Sequence, residues 1–201
     1  MTAAPEVHDA VPAELTGPRR IVDVTTTYLE MRARPTAPLS PPPPGVQVVR
    51  AIAPTVRFYR YLYDSVGLPW AWYDRRRMDQ AELAAILADE RVEVHVVWKD
   101  GVPAGYTELD RRVAGEVELA YFGLVPEAIG HKIGPWLLAW SIHEAWRRDG
   151  VTRVWVHTCT LDHPSALRTY LAAGFTKYGE DSHRQTVLES AAGSAPARST
   201  D

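Results

Sequence analysis

The sequence predicts a single α/β (α+β) domain in which strands and helices alternate along most of the chain. The predicted elements follow the order β-α-α-β-β-β-α-β-α-β-β, and two of the helices each connect one strand to the next. Such crossovers place parallel strands in the sheet. The chain has 201 residues, of which 46% are hydrophobic, so a sizeable core is expected.

Residues 1–45 are predicted to be an N-terminal extension that ends in a proline-rich linker. The consecutive prolines at 41–44 are typical of a polyproline spacer. Residues 21–32 are rich in β-forming side chains and are a candidate accessory strand. Residues 1–18 and 191–201 contain few core-forming side chains, so we expect both to be disordered. The domain itself is predicted at residues 46–190.

The first half of this domain is predicted to form a strand, two helices and three further strands. Their ranges are, in chain order, strand 47–52, helices 54–66 and 79–89, and strands 92–99, 102–111 and 116–125. Pro54 is compatible with the first turn of a helix. Asp100 followed by Gly101 indicates a hairpin turn. Between the two helices lies an aromatic loop, PWAWY, at residues 69–73.

The second half of the domain is predicted to contain two more helices, each followed by a strand. A helix at 135–149 ends at Gly150, and a helix at 164–173 ends at Gly174. The strand between them, at 151–160, is rich in β-branched residues. The chain is then expected to close with a hairpin that pairs residues 175–178 with residues 185–188.

Charge and cysteine content exclude several classes of partner. The formal net charge is −3, with 22 basic and 25 acidic residues, which does not favour nucleic acid or an anionic membrane. Cys159 is the single cysteine, so a reducing compartment is expected. The N-terminus lacks the apolar stretch of a signal peptide, and no run approaches the length of a membrane span. We therefore expect a cytoplasmic protein.

The most informative segment is ELAYFGLVPEAIGHKIGPWLL at residues 118–138. A buried strand leads into a loop that contains Gly130 and Gly134, and a helix begins immediately afterwards. The free amides of such a loop and the N-terminus of the helix favour a pyrophosphate. The glycines allow close approach of the ligand. An ordinary turn between a strand and a helix is the alternative.

Two motifs of this region resemble the GNAT superfamily of N-acetyltransferases. The acyl-CoA-binding motif of that family usually reads Gln/Arg-x-x-Gly-x-Gly/Ala, and here it runs from Ile129 to Gly134. Ile129 replaces the usual Gln or Arg, and Lys132 replaces the middle Gly. Residues 162–175, DHPSALRTYLAAGF, resemble the family's N-x-x-A-L-x-x-Y-x-x-x-G-F segment, with His163 where Asn is common. The resemblance covers residues 46–188.

This resemblance implies a GNAT-like fold, a central mixed, mostly antiparallel twisted sheet flanked by helices. It also implies acetyl-CoA as cosubstrate and transfer of an acetyl group to a primary amine by direct attack in a ternary complex. The implied cofactor-binding residues are Leu124, Val125, Ile129, Gly130, His131, Lys132, Ile133, Gly134 and His163. Lys132 would add a charge-assisted contact to a CoA phosphate. A strand amide near Leu124 would polarise the thioester carbonyl.

The chemistry needs a base for the amine and an acid for the departing thiolate. Glu118 is the candidate base, because ELAYFGL resembles the strand of the histone-acetylating branch whose first residue is the glutamate base. Glu108 on the preceding strand and a water molecule are the alternatives, and Glu118 would then be a solvated or arginine-paired residue. Tyr170 matches the family tyrosine that protonates the CoA sulfur, and a core tyrosine is the alternative.

Other features leave the acceptor open. The histidines show no spacing typical of a metal site, so no metal is expected. An acyl intermediate on Cys159 is less favoured than a small buried residue. Trp70, Trp72 and Tyr73 lie where family members shape the acceptor pocket, which suits a small-molecule or peptide amine, and packing in the core is the alternative. The sequence also leaves open whether the protein forms a homodimer. The alternative function is a non-catalytic acyl-CoA-binding sensor or scaffold module.

Overall fold

The computed structural model describes residues 7–9 and 11–190, and a single sheet forms its framework. The strands are β1 (Val7–Asp9), β2 (Arg19–Met31), β3 (Val46–Ala51), β4 (Val92–Lys99), β5 (Val102–Asp110), β6 (Glu116–Leu124), β7 (Arg153–Cys159) and β8 (Thr176–Leu188). They form an 8-stranded sheet in the order β1-β8-β2-β7-β6-β5-β4-β3. Only the β1–β8 and β6–β7 pairs are parallel among these strands. The expected mixed, mostly antiparallel sheet is therefore confirmed.

Five α-helices accompany the sheet in the described residues. They are α1 (Val56–Gly67), α2 (Asp74–Arg77), α3 (Gln80–Ala88), α4 (Ile133–Ala145) and α5 (Ala166–Ala172), with short 3-10 helices at Leu68–Trp70 and Pro126–Ala128. Side-chain caps fix two of the starts, because Thr55 accepts from the Phe58 amide and Asp79 accepts from the Ala81 amide. No helix in the described ranges is long and apolar enough to span a bilayer.

The helices cover both faces of the sheet with separate apolar cores. On one face, α4 and α5 pack on the inner strands, where Leu29, Leu119 and Leu138 are buried together. On the other face, α1 and α3 pack on β4 and β5, and Tyr59 and Tyr106 are among the buried residues. Because successive strand residues point to opposite faces, each inner strand contributes to both cores.

The two parallel strands β6 and β7 pair only over a short stretch. Residues 116–118 of β6 lie opposite residues 153–155 of β7, and the ladder ends there. Beyond Glu118 the register of β6 with β5 shifts between Glu108 and Leu109, which indicates a bulge. From there β6 follows β5 and leaves β7. The separation opens a cleft inside the sheet.

The N-terminal residues belong to the same sheet. Residues 21–32 fall largely in β2, which lies between β7 and β8 and pairs with both. The expected disorder of residues 1–18 is wrong for the part that is described, because 7–9 form β1 and Val11 is buried against Tyr73 and Val187. Residues 191–201 lie outside the described residues, and the boundary at residue 46 stays a prediction.

The predicted C-terminal hairpin is wrong. Residues 176–188 form one strand of 13 residues, β8, without a turn. The strand runs antiparallel to β2, which is equally long, over nearly its whole length. The polar stretch between the two predicted hairpin arms therefore finds backbone partners on β2 and stays extended. A local pattern of turn-forming residues is overridden by a long partner strand.

Candidate functional site

An open cavity of about 680 Å³ lies in the cleft between β6 and β7. We call one side the cofactor wall, which consists of the cavity-lining residues of loop 129–135 and of α5 with the turn before it. We call the other side the acceptor wall, which consists of the cavity-lining residues of 70–74, of β7 and of 161–162. Residues 119–124 of β6 also line the cavity.

The cofactor wall presents a run of unpaired backbone amides. The amides of residues 130–134 donate no hydrogen bond to the described part of the chain. Gly130 and Lys132 have positive φ angles of 92° and 61°, which turn the loop into the start of α4. Lys132 is the N-cap of α4, so the next amides belong to the positive end of the helix dipole. These backbone amide donors are suited to the oxygen atoms of a pyrophosphate group.

Only some of the cofactor-binding residues that the resemblance implies lie at the cavity in the structure. Those that line the cavity are Leu124, Ile129, Gly130, Lys132, Gly134 and His163. Val125, His131 and Ile133 are not among the lining residues. The amide of Val125 donates a hydrogen bond to the Ala104 carbonyl at 3.0 Å. His131 is exposed but does not line the cavity. Ile133 is buried in the core beside Leu137. Their roles in binding stay predictions.

Leu124 places a backbone donor in the cleft. In an antiparallel ladder the amides of one strand alternate in direction. Because Val125 bonds to Ala104 of β5, the amide of Leu124 points away from β5. β7 no longer pairs with β6 at this level, so this amide faces the cavity that Leu124 lines. It is available to a carbonyl oxygen held in the cleft.

Tyr170 closes the cofactor wall from α5. Its ring contacts Phe122 and Phe175 at centroid distances of 6.3 and 6.0 Å, and the residue is 7% exposed. The side chain lines the cavity, and its hydroxyl has no hydrogen-bond partner among the described residues. Burial raises the pKa of Tyr170 above its usual value, so the phenol keeps its proton at neutral pH. The protonated hydroxyl is therefore available as a donor.

His163 organises the turn before α5. Its Nδ1 accepts a hydrogen bond from the Ser165 amide at 3.1 Å and lies 2.7 Å from the Ser165 hydroxyl. Its ring meets Trp70 edge to face at 5.2 Å. His163 thus connects the two walls of the cavity.

The two candidate carboxylates have different surroundings. Glu108 is fully buried, where it pairs with Arg75 at 2.6 Å and accepts a hydrogen bond from the Tyr59 hydroxyl. Burial raises the pKa of Glu108, against the effects of Arg75 and Tyr59. Glu118 instead lies 3.3 Å from Nδ1 of His157. Glu108 is outside the cavity lining, as is Glu118, but His157 is part of it.

The acceptor wall combines aromatic rings with carboxylates. Asp162 accepts hydrogen bonds from the Thr158 hydroxyl, the Cys159 amide and the Trp72 indole at 2.7, 2.9 and 3.1 Å. Asp74 lines the cavity, is exposed, and forms no ion pair within the described residues. Burial raises the pKa of Cys159 to about 12, so this residue is a neutral thiol. The wall therefore offers negative charge rather than a nucleophile.

Sequence reasoning did not identify His157, Asp74 or Asp162 as site residues. Asp162 directly precedes His163 in the second motif, so its position in the sequence could have indicated that it lies at the site. His157 has no motif of its own. Only the parallel register of β6 and β7 shows that it lies on the same face as Glu118.

One cluster outside the cavity has the composition of a metal site. Glu93, His95 and Glu144 bring ligand atoms within 4.8 Å of one another. Burial works to raise the pKa of Glu93, but the hydrogen bond from His95 and the charges of Arg111 and Arg148 lower it to about 2. Glu93 thus already has cationic partners, which compete with a metal ion.

Comparison with known proteins identifies a family that most of the chain matches. Residues 56–175 match the family described as Acetyltransferase (GNAT) family. No curated protein matches the chain.

Three solved structures are similar in fold. A tandem GNAT protein from the clavulanic acid biosynthesis pathway has a TM-score of 0.60 at 20% identity, over 89% of this chain and 61% of that one. A GCN5-related N-acetyltransferase from Kribbella flavida has a TM-score of 0.56 at 16% identity, over 83% and 58%. Spermidine N-acetyltransferase from Vibrio cholerae has a TM-score of 0.51 at 16% identity, over 73% and 95%. The chain thus spans less than two thirds of the first two proteins.

Proposed function

Because the chain belongs to the Acetyltransferase (GNAT) family, we propose that it transfers an acetyl group from acetyl-CoA to a primary amine. The amine attacks the thioester directly while both substrates are bound. The observation that supports this proposal is the cleft itself, where unpaired amides, a buried phenol and a negatively charged wall surround one cavity. An acyl donor and an amine placed in it would meet beside β6.

In this proposal the cofactor wall holds acetyl-CoA. The amides of residues 130–134 bind the pyrophosphate, and the positive end of α4 favours its charge. Lys132 adds a positive charge at the same loop. The extended arm of CoA carries amide groups of its own, which match the unpaired edge of β6 where β7 has separated. Binding then depends mainly on the backbone.

The chemical step uses three groups of the chain. The Leu124 amide donates to the thioester oxygen as negative charge develops on it. The amine nitrogen forms a bond to the acyl carbon, and the bond from that carbon to sulfur breaks. Tyr170 gives its proton to the departing thiolate. Glu118 is the carboxylate on which removal of the amine proton depends.

The acceptor in this proposal is a small, positively charged amine. Asp74 and Asp162 line the acceptor wall, and Trp70 and Trp72 provide aromatic faces beside them. Among the cavity-lining residues of the described chain, Lys132 is the one lysine or arginine, and it lies on the cofactor wall. The charge pattern thus separates an anionic cofactor from a cationic acceptor. The likeness in fold to a spermidine N-acetyltransferase agrees with this class.

The proposal is tested by thiol release from acetyl-CoA. We expect that release of the thiol requires an added amine. Release should be faster with 1,4-diaminobutane than with butylamine. Tyr170→Phe keeps the ring packing and is expected to slow release less than loss of the base, because a thiolate leaves readily. Stabilisation by CoA without release with any amine would instead indicate a binding module.

A further inference from the structure

Glu118 contacts a side chain that reaches the cavity. It lies opposite Trp155 in the parallel ladder, and His157 follows two residues later on the same face. The Glu118 Oε1 to His157 Nδ1 distance is 3.3 Å. Side-chain exposure is 21% for Glu118 and 45% for His157. The carboxylate is thus behind the imidazole rather than at the cavity.

This contact favours one of the two neutral tautomers of His157. A carboxylate accepts hydrogen bonds, so it favours the neutral tautomer with its proton on Nδ1. The lone pair is then on Nε2. In the described residues Nε2 has no hydrogen-bond partner, and the ring lines the cavity. Nε2 is the atom that a bound amine can meet.

Two other candidate proton acceptors are already occupied or lie outside the cavity. Glu108 is buried with Arg75 and Tyr59 and does not line the cavity. Asp162 lines the cavity, but its two oxygens already accept from Thr158, Cys159 and Trp72.

From these contacts we infer that His157, oriented by Glu118, accepts the proton of the attacking amine. The inference deepens the proposed function and rests on it. As the nitrogen bonds to the acyl carbon, its proton moves to Nε2 of neutral His157, which becomes an imidazolium. The electron pair of the broken carbon–sulfur bond leaves with the thiolate. His157 is then the catalytic base, and Glu118 is a positioning residue.

The surroundings of His157 suit this role. The contact with Glu118 raises the pKa of His157 most, burial opposes it, and the negative charges of Asp162 and Asp74 add to the increase. A higher proton affinity favours transfer from an ammonium-like nitrogen. The titratable groups around it on neighbouring elements are Tyr28 on β2, Glu118 on β6, Asp74 on α2, Asp162 after β7 and, along the cavity, His183 on β8.

The test compares pH–rate profiles of kcat/KM for one amine in three variants. In the wild-type protein we expect activity to fall below an inflection that lies above pH 6.5. His157→Gln is expected to lose that inflection and roughly 10²–10⁴ of the rate. Glu118→Gln removes the negative charge, so the pKa of His157 falls and the inflection moves to lower pH. His143→Gln on α4, outside the cavity lining, is the matched control and should keep the wild-type profile.

A second readout does not depend on turnover. NMR titration of the His157 ring in the free protein should give a lower midpoint in Glu118→Gln than in the wild type. If His157→Gln keeps the inflection and the rate while Glu118→Gln loses both, Glu118 is the base and this inference is wrong. An equal midpoint in both proteins also overturns it. A wild-type protein that is inactive with every amine overturns the proposed function instead.

Discussion

The two walls of the cleft present different parts of the chain to the ligands of the proposed function. The cofactor wall offers backbone amides at residues 130–134, whereas the acceptor wall offers the side chains of Asp74, Trp72 and Asp162. Every residue except proline supplies a backbone amide. A motif of the cofactor wall can therefore change its side chains, as at Ile129 and Lys132, and keep its donors. The acceptor wall relies on side chains, so in the proposed function acceptor choice would depend on individual residues.

The largest effect is expected when the backbone of the cofactor wall is obstructed. Gly134→Val places a branched side chain where the pyrophosphate would approach. We expect the affinity for CoA to fall at least about 100-fold. Wild-type protein at about 100 times the dissociation constant should gain about 2.7 kcal/mol of unfolding free energy, and the variant should gain almost none. Thermal unfolding with and without CoA measures this difference.

A matched glycine controls for the added bulk. A Cβ at Gly134 would meet Leu124 at 3.6 Å, and a Cβ at Gly179 on β8 would meet Tyr28 at the same 3.6 Å. Gly179 is outside the cavity lining, so Gly179→Val should keep the response to CoA. Comparing melting temperatures without ligand separates any strain from lost binding. Full CoA stabilisation in Gly134→Val would show that this loop does not hold the cofactor.

A smaller effect is expected on the acceptor wall. Asp74→Asn removes an exposed charge that has no ion-pair partner in the described structure. We expect KM for 1,4-diaminobutane to rise about tenfold, which corresponds to about 1.4 kcal/mol, because the second ammonium loses its counter-charge. KM for butylamine should change much less. Steady-state kinetics with both amines tests this selectivity.

The control for Asp74→Asn is Asp149→Asn, which makes the same charge change at an exposed residue outside the cavity lining. It should leave both KM values unchanged. Equal losses for the two amines in Asp74→Asn would mean that Asp74 does not recognise a second charge.

The smallest effect is expected for a charged side chain on the cofactor wall. Lys132→Gln keeps the backbone amide and a similar length, so CoA affinity should fall only about two- to fivefold at low salt. Because exposed charges are screened, the loss should shrink in 1 M salt. Lys99→Gln, outside the cavity lining, is the control. Calorimetry at two salt concentrations measures both. A loss in Lys132→Gln as large as that in Gly134→Val would show that the side chain dominates binding.

The sequence by itself located most of the elements from β3 to α5 and the loop of the cofactor wall. Hydrophobic alternation and turn residues are local signals, and they located β4, β5 and β6 within a residue or two of their observed ends. The loop from Ile129 to Gly134 is contiguous, so its motif is visible in the sequence. Local signals failed at β8, because pairing with β2, more than a hundred residues away, decides whether residues 176–188 turn or stay extended.

Only the tertiary structure decided the surroundings of the acidic residues. Alternation places Glu108 and Glu118 on strand faces, but it does not say which side chains from other elements cover them. Arg75 of α2 seals Glu108, and His157 of β7 reaches Glu118 because β6 and β7 are neighbours in parallel register. Strand order and register depend on the packing of the whole chain, since pairing energies involve residues far apart in sequence. The sequence therefore identified Glu118 as a candidate, and only the fold shows that His157 lies beside it.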